Sequence, residues 1–214
     1  MLDWIRLPLG LLQTNAYVVY NKKGRCLIVD PGGEEKKIHQ FVQKKKLKPQ
    51  AILLTHAHFD HIGAVDVLRE KYNIPAYVHQ KEKKWLSNPL LNGSEQYEGV
   101  ASVAVKGADH LFSKEEELAI GGFTFQLFET PGHSPGSVSF YFKESGLVIV
   151  GDTLFEGGIG RTDLKGGQES QLLKSIRQKL FLLPEGTYVL PGHDQVTTIG
   201  QEIKHNPFFN KKRG

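Results

Sequence analysis

The stretch "THAHFDHIG", residues 55–63, decides how the rest of the sequence is interpreted, because it places three histidines and an aspartate within six positions. A solvated polar loop and a metal site are the two competing explanations. In an extended segment alternate side chains point the same way, so His56 and His58 can bind one ion from one side. Asp60 and His61 follow where the chain turns into a helix and point elsewhere. Four such ligands fit two metal ions better than one, and zinc needs no thiolate.

Other apolar runs of the sequence also end in side chains that bind metals. "AILLTHAH" ends in His56 and His58, "FQLFETPGH" in His133, "TYVLPGH" in His193 and "LVIVGD" in Asp152. We interpret these runs as strands. Loops that a rigid scaffold holds at strand ends are where binding groups usually lie. We therefore expect five histidines and several carboxylates to converge at one rim of packed sheets.

Strand and helix patterns alternate along the chain. "NAYVVY" and "RCLIVD" flank the turn "NKKG", "SVSFYF" and "LVIV" flank "KESG", and these hairpins lead into Asp30 and Asp152 respectively. Apolar residues recur at helical spacing after the histidine cluster, in "EEKKIHQFVQKKK" and in "SQLLKSIRQKLFLL". No linker rich in Pro, Gly or Ser interrupts the pattern. The sequence predicts a single domain over residues 1–214, with sheets at the centre and helices outside.

Composition excludes several classes of protein. With 39% hydrophobic and 23% charged residues and no long apolar run, the chain is typical of a globular protein without a membrane segment. Asp3 and Arg6 interrupt the apolar N-terminus, so we expect no secretory signal and a cytoplasmic location. The only cysteine, Cys26, cannot form an internal disulfide, and we interpret it as a small buried apolar residue.

The net charge of +4 raises the question of nucleic-acid binding. The basic residues are dispersed, however, and the densest run, the lysines at 44–46, falls where a helix is expected to end. The basic residues at 211–213 are expected to fray. Charge alone therefore does not favour a nucleic-acid partner.

Five motifs carry a family resemblance. "THAHFDH", "PGHSPGS", "GDTLF", "GIGRTDL" and "LPGH", in this order, resemble the metallo-β-lactamase fold superfamily, and within it the small bacterial glyoxalase II-like hydrolases, the hydroxyacylglutathione hydrolase group. The resemblance runs from about Leu9 to Phe209. It implies an α+β fold, the αββα sandwich of two packed mixed β-sheets with helices on the outer faces and metals at one edge of the sheets.

The resemblance also implies seven metal ligands for two divalent ions. The first ion would be held by His56, His58 and His133, the second by Asp60, His61 and His193, with Asp152 bridging the two. A bridge requires a carboxylate, because each of its oxygens can bind one cation. Asp60 would also orient the reactive water. Zinc is the expected metal, but iron and manganese stay open, since nitrogen and oxygen ligands do not decide between them.

Three further features are expected to support the site. The resemblance places Asp30 beneath the metals, hydrogen-bonded to a ligand imidazole; the alternative is a turn residue before "PGG". Arg161 and Asp163 are expected to form a buried pair that holds the loop after Asp152. The irregular stretch at residues 87–110 is a candidate wall or lid of the pocket.

The implied activity is hydrolysis of a thioester of a small thiol, of the S-lactoylglutathione type, by a metal-bridging hydroxide. An iron-dependent persulfide (sulfur) dioxygenase of the same superfamily and a lactone or other ester hydrolase stay open as alternatives. Longer relatives add a C-terminal helical domain for glutathione, and this chain ends soon after "NPFF", so the thiol carrier stays open. We expect a small-molecule partner, neither nucleic acid nor membrane, and the oligomeric state is not predicted.

Overall fold

The computed structural model describes residues 2–210. Contacts between Cα atoms divide these residues into two compact units, residues 2–113 with 118–124 and residues 114–117 with 125–210. The single domain predicted over residues 1–214 stays a prediction. The basic residues at 211–213, which we expected to fray, lie outside the described residues.

The sheet of the first unit has six strands that lie side by side in chain order. Its strands are β1 (Asp3–Leu9), β2 (Thr14–Tyr20), β3 (Arg25–Val29), β4 (Lys48–Leu53), β5 (Ala76–His79) and β6 (His110–Phe112). The pairs β1–β2 and β2–β3 are antiparallel, which confirms the first predicted hairpin, and β3 to β6 pair in parallel. The residues that follow β3, β4 and β5 therefore lie along the same edge of this sheet.

Four helices belong to the first unit, α1 (Glu35–Lys44), α2 (Phe59–Ile62), α3 (Val65–Tyr72) and α4 (Pro89–Asn92). The apolar stripe predicted for α1 consists of Ile38, Phe41 and Val42. Ile38 and Val42 are buried in the core of the unit, and Phe41 is partly buried against it. The helix predicted after the histidine cluster is broken between α2 and α3. The Ala64 backbone N–H donates to the carbonyl oxygen of Pro31 at 2.9 Å, outside the helix. Gly63 lies so close to Gly32 that a Cβ on Gly63 would come within 2.4 Å of the Gly32 carbonyl oxygen.

The second sheet has the strand order β14-β13-β10-β9-β8-β7. Its strands are β7 (Glu116–Ile120), β8 (Phe123–Glu129), β9 (Val138–Phe142), β10 (Leu147–Gly151), β13 (Tyr188–Pro191) and β14 (Thr197–Thr198), and a separate ribbon pairs β11 (Leu154–Phe155) with β12 (Gly158–Ile159). Strand β9 is antiparallel to both β8 and β10, which confirms the second predicted hairpin, and β13 is parallel to β10. The ends of β8, β10 and β13 therefore share one edge.

The second unit also contains helices α5 (Glu169–Gln178) and α6 (Ile199–His205). Leu172 and Ile176 of α5 are fully buried, as predicted from their helical spacing.

In the first unit Cys26 is fully buried, as predicted, and burial raises the pKa of its thiol to about 12. Within residues 2–210, none of the helices has the length and apolar character that crossing a membrane requires.

Candidate metal centre

The edge of the first sheet brings three of the predicted histidine ligands together. They follow β4 directly, and all three are buried. The ring centroids of His56 and His61 are 4.0 Å apart, and those of His56 and His58 are 4.8 Å apart. A solvated polar loop does not account for imidazoles that are buried against one another, because burying polar groups is unfavourable unless they find partners.

Asp30, at the end of β3, fixes the orientation of this cluster. Its carboxylate accepts hydrogen bonds from the Thr55 backbone N–H at 2.8 Å and from the Thr55 hydroxyl at 2.6 Å, and it lies 3.1 Å from His61 Nδ1. An ionised carboxylate only accepts, so His61 Nδ1 carries the hydrogen and Nε2 carries the lone pair. Asp30 also adopts a left-handed backbone conformation, with φ of 48°, which aspartate tolerates better than most residues.

The same logic fixes the tautomer of His56. Its Nδ1 lies 3.1 Å from the Thr55 hydroxyl oxygen, and that hydroxyl gives its single hydrogen to Asp30. The hydrogen between His56 and Thr55 must therefore come from His56 Nδ1, which leaves the lone pair on Nε2. Asp30, directly and through Thr55, sets two imidazoles in the form that binds a metal through Nε2.

Asp60 lies beside His61, but the two side chains are too far apart to form a hydrogen bond. Its Oδ2 is 3.6 Å from His61 Nε2 and accepts a 2.6 Å hydrogen bond from the hydroxyl of Thr14, which is fully buried. N–H···O bonds span roughly 2.7–3.2 Å, whereas two ligands about 2.0–2.1 Å from one tetrahedral zinc ion lie roughly 3.3 Å apart. The spacing therefore fits two ligands of one ion better than a direct bond.

The second unit contains a matching cluster at the ends of β8, β10 and β13. Asp152 Oδ2 lies 3.6 Å from His133 Nε2 and 3.4 Å from His193 Nε2, and each of these two separations again fits a pair of ligands that share an ion. His133 Nδ1 donates to the carbonyl oxygen of Arg161 at 2.8 Å, since a carbonyl only accepts. His133 therefore also presents the lone pair of Nε2.

The prediction of a buried pair between Arg161 and Asp163 was wrong about burial. The guanidinium does donate to the carboxylate, at 2.8 and 2.6 Å, and these hydrogen bonds lower the pKa of Asp163 to about 2. The two side chains are, however, 52% and 66% exposed. An ion pair this exposed to solvent contributes little stability. The loop supports the site instead through the backbone carbonyl oxygen of Arg161, which accepts the hydrogen bond from His133.

Residues 87–110, predicted to be an irregular wall or lid, contain the helix α4 and one further helical turn at Ser94–Gln96, and residues 97–109 are irregular as predicted. The amide of Asn92 at the end of α4 donates to the carbonyl oxygens of Trp85 and Val103, and Ser94 Oγ accepts from the Val103 backbone N–H. The ring of Tyr97 lies 5.1 Å from that of Phe59, next to the histidine cluster. The role of this segment as a wall of the pocket stays a prediction.

The donors in these clusters fit divalent metal ions. Imidazole nitrogens and carboxylate oxygens suit zinc, iron and manganese. Candidate ligand atoms of Asp30, His56 and His61 lie within 4.8 Å of one another, but Asp30 faces the Nδ1 atom of His61, which carries the hydrogen, and not the Nε2 lone pair, so we interpret Asp30 as a support and not a ligand. Four of the seven ligands implied by the resemblance lie in the first unit and three in the second. Their assignment to two ions stays a prediction.

Replacing Gly32 by alanine is expected to damage the first cluster. A Cβ there would lie 1.6 Å from the carbonyl oxygen of Asp60, whereas a Cβ on Gly33 would meet nothing closer than 3.8 Å. Relieving the clash requires the turn that contains Asp60 to move, so we expect Gly32→Ala to lower the free energy of unfolding by about 2–3 kcal/mol. Urea denaturation measures the loss. Gly33→Ala is the matched control, and equal stability of the two variants would contradict the proposed contact.

The family model of the metallo-beta-lactamase superfamily matches residues 9–193 of the chain. Among curated proteins, the chain is 54% identical over 209 residues to "Probable metallo-hydrolase YqgX" of Bacillus subtilis (strain 168), covering 98% of each chain. It is 35% identical over 207 residues to "Hydroxyacylglutathione hydrolase GloC" of Haemophilus influenzae, covering 96% of this chain and 97% of the relative.

Two solved structures are similar to the chain in both fold and sequence. The crystal structure of BLEG-1 B3 metallo-beta-lactamase matches with a TM-score of 0.94 and 52% identity, over 97% of this chain and 99% of that one. TTHA1623, solved in a di-iron-bound form, matches with a TM-score of 0.83 and 39% identity, over 95% of this chain and 99% of that one.

Proposed function

The chain belongs to the metallo-beta-lactamase superfamily, and from this premise we propose that it is a dinuclear metal-dependent hydrolase that cleaves a thioester of a small thiol. The predicted fold class is confirmed, since the chain has the α+β metallo-beta-lactamase fold with two mixed sheets. A metal-dependent hydrolase is the coarser function that the named relatives support. Cleavage of a thioester is the more specific part of the proposal, and it rests on the resemblance to the hydroxyacylglutathione hydrolase group.

One observation carries the proposal. Carboxylates in both units, Asp60 and Asp152, lie 3.4–3.6 Å from imidazole Nε2 atoms. Nδ1 of His61 and of His133 donates a hydrogen bond, which leaves the lone pair of each ring on Nε2. In the proposal His56, His58 and His133 hold one ion, and Asp60, His61 and His193 hold the other, with Asp152 shared.

The residues of the chain would each have a defined task. Two divalent ions held by these residues would provide hydroxide at neutral pH and would polarise a carbonyl group. Asp60 would accept a hydrogen bond from the attacking water and orient it, and the Thr14 hydroxyl holds the Asp60 carboxylate in place. Thiolate is a good leaving group, so the reaction does not demand a strong general acid from the chain. Zinc is the metal we propose, and iron is the alternative because TTHA1623 was solved in a di-iron-bound form.

The test combines metal removal with a substrate panel. Purified protein of known metal content is assayed with S-lactoylglutathione, thioesters of other small thiols and a lactone. We expect thioester cleavage that a chelator abolishes and that added zinc or manganese restores. Activity that is unchanged after complete metal removal, or a metal-replete protein that cleaves no thioester, would reject the proposal.

Two further substrates separate the alternatives. The 52% identity to BLEG-1 favours β-lactam hydrolysis as a second candidate function, so the panel includes a β-lactam. Oxygen consumption with glutathione persulfide tests the iron-dependent dioxygenase, which needs one redox-active ion and no hydroxide. A cytoplasmic location and a small-molecule partner, with neither nucleic acid nor membrane, complete the proposal.

A further inference from the structure

A buried carboxylate outside the predicted ligand set lies at the same edge of the first sheet. Glu82 ends the short helical turn Gln80–Glu82 that follows β5, and its exposure to solvent is 0%. We propose that Glu82 is a positioning residue that holds the ligands His56 and His58 and raises the affinity of that half-site for a cation. This inference rests on the proposed function, because it requires that the histidines bind metal.

The contact that carries the inference joins Glu82 to the backbone between the two histidines. Glu82 Oε2 accepts a hydrogen bond from the Ala57 N–H at 2.5 Å. Hydrogen bonds to an ionised acceptor are shorter and stronger than those to a neutral acceptor. Because the Ala57 nitrogen belongs to the peptide that follows His56 and precedes His58, fixing that peptide restricts the direction of both imidazoles.

The segment that carries Glu82 is itself held firmly. His79 Nδ1 accepts from the Lys81 N–H at 3.4 Å, and the Trp85 N–H donates to the Glu82 carbonyl oxygen at 2.8 Å. The Trp85 ring lies 5.5 Å from the ring of His58. The segment at residues 79–85 therefore makes two contacts with residues 56–58, one through the Glu82 carboxylate and one through the Trp85 ring.

Charge gives Glu82 a second role. An ionised carboxylate that is removed from water is unfavourable unless hydrogen bonds or a nearby positive charge compensate for the lost hydration. A divalent cation on His56 and His58 supplies such a charge. Such coupling is reciprocal: the free energy by which the cation stabilises the ionised carboxylate equals the free energy by which the carboxylate stabilises the bound cation. Glu82 is therefore expected to increase the affinity of the site for the cation. A neutral amide at this position keeps an oxygen that can accept from the Ala57 N–H, but it removes the charge and replaces the other carboxylate oxygen by an NH2 group.

The test measures zinc affinity on the full chain. The metal-free protein competes with a chromophoric chelator for zinc, in the wild type and in Glu82→Gln and Glu82→Ala. We expect the dissociation constant of one of the two ions to rise about tenfold in Glu82→Gln and about a hundredfold in Glu82→Ala, the range for outer carboxylates of metal sites. Glu70→Gln, a change at an exposed carboxylate on α3, is the control and is expected to bind both ions with wild-type affinity.

The outcomes separate this inference from the proposed function. A wild type that binds neither zinc nor manganese would overturn both. A wild type that binds two ions, together with a Glu82→Gln variant of unchanged affinity for both, would overturn only the role of Glu82. Thermal unfolding of the metal-free variants shows whether each one folds. If Glu82→Ala does not fold, the amide variant of nearly the same shape decides the question.

Discussion

Replacing Asp152 by alanine is expected to lower the rate of thioester hydrolysis by about a thousandfold or more, because the change removes the only proposed ligand that both ions share. Its Oδ2 lies within 3.6 Å of Nε2 of both His133 and His193, so the alanine also leaves a gap between the two imidazoles. We expect the bound metal to fall from two ions towards one. Steady-state kinetics and elemental analysis of the same preparation measure both effects.

Glu144→Ala is the matched control for that experiment. Glu144 is an exposed carboxylate in the same unit, in the turn between β9 and β10, whereas Asp152 follows the other end of β10. The control is expected to retain wild-type activity and both ions. An Asp152→Ala variant that still holds two ions and hydrolyses the thioester at the wild-type rate would rule out the bridging role.

The side chains of the candidate site in each unit could be predicted from the sequence because they follow the ends of strands. Parallel strands present their carboxyl ends at one edge, so side chains that follow such strands meet there even when they are far apart in sequence. Asp30 and His56 follow the parallel strands β3 and β4, and Asp152 and His193 follow the parallel strands β10 and β13. A run of alternating or continuous apolar residues reveals such a strand, and the residue that ends it can be identified from the sequence.

Contacts that depend on tertiary structure left no comparable signal. Thr14 belongs to a β-rich hairpin, and its hydrogen bond to Asp60 joins residues 46 positions apart. Glu82 lies in "HQKEKKW", where alternating charge is typical of a solvated turn, yet its side chain is buried. Helical periodicity likewise does not register the break between α2 and α3, where the Ala64 N–H donates to the carbonyl oxygen of Pro31.

Asp30→Ala is expected to have the largest effect on stability of the changes considered, lowering the free energy of unfolding by about 3–5 kcal/mol. The carboxylate accepts from the backbone N–H and the hydroxyl of Thr55 and faces His61 Nδ1, and all of these groups are buried. Removing the acceptor leaves buried donors without compensation, and each such hydrogen bond to a charged group contributes about 1.5–3 kcal/mol. Urea denaturation of the metal-free protein measures the loss without any contribution from bound ions.

Asp30→Asn separates the two roles of this residue. Asparagine tolerates the left-handed backbone conformation at this position and can still accept from the Thr55 N–H, so we expect it to retain about half of the lost stability. It cannot accept from both Thr55 and His61 as the carboxylate does, so the imidazole of His61 loses the group that fixes its tautomer, and metal affinity is expected to fall about tenfold or more. Asp3→Ala, at an exposed position on β1, is the control for both measurements. If Asp30→Ala lowers the free energy of unfolding by less than about 1 kcal/mol, Asp30 is only the turn residue that precedes Pro31, and the tautomers of His56 and His61 must be set by other groups.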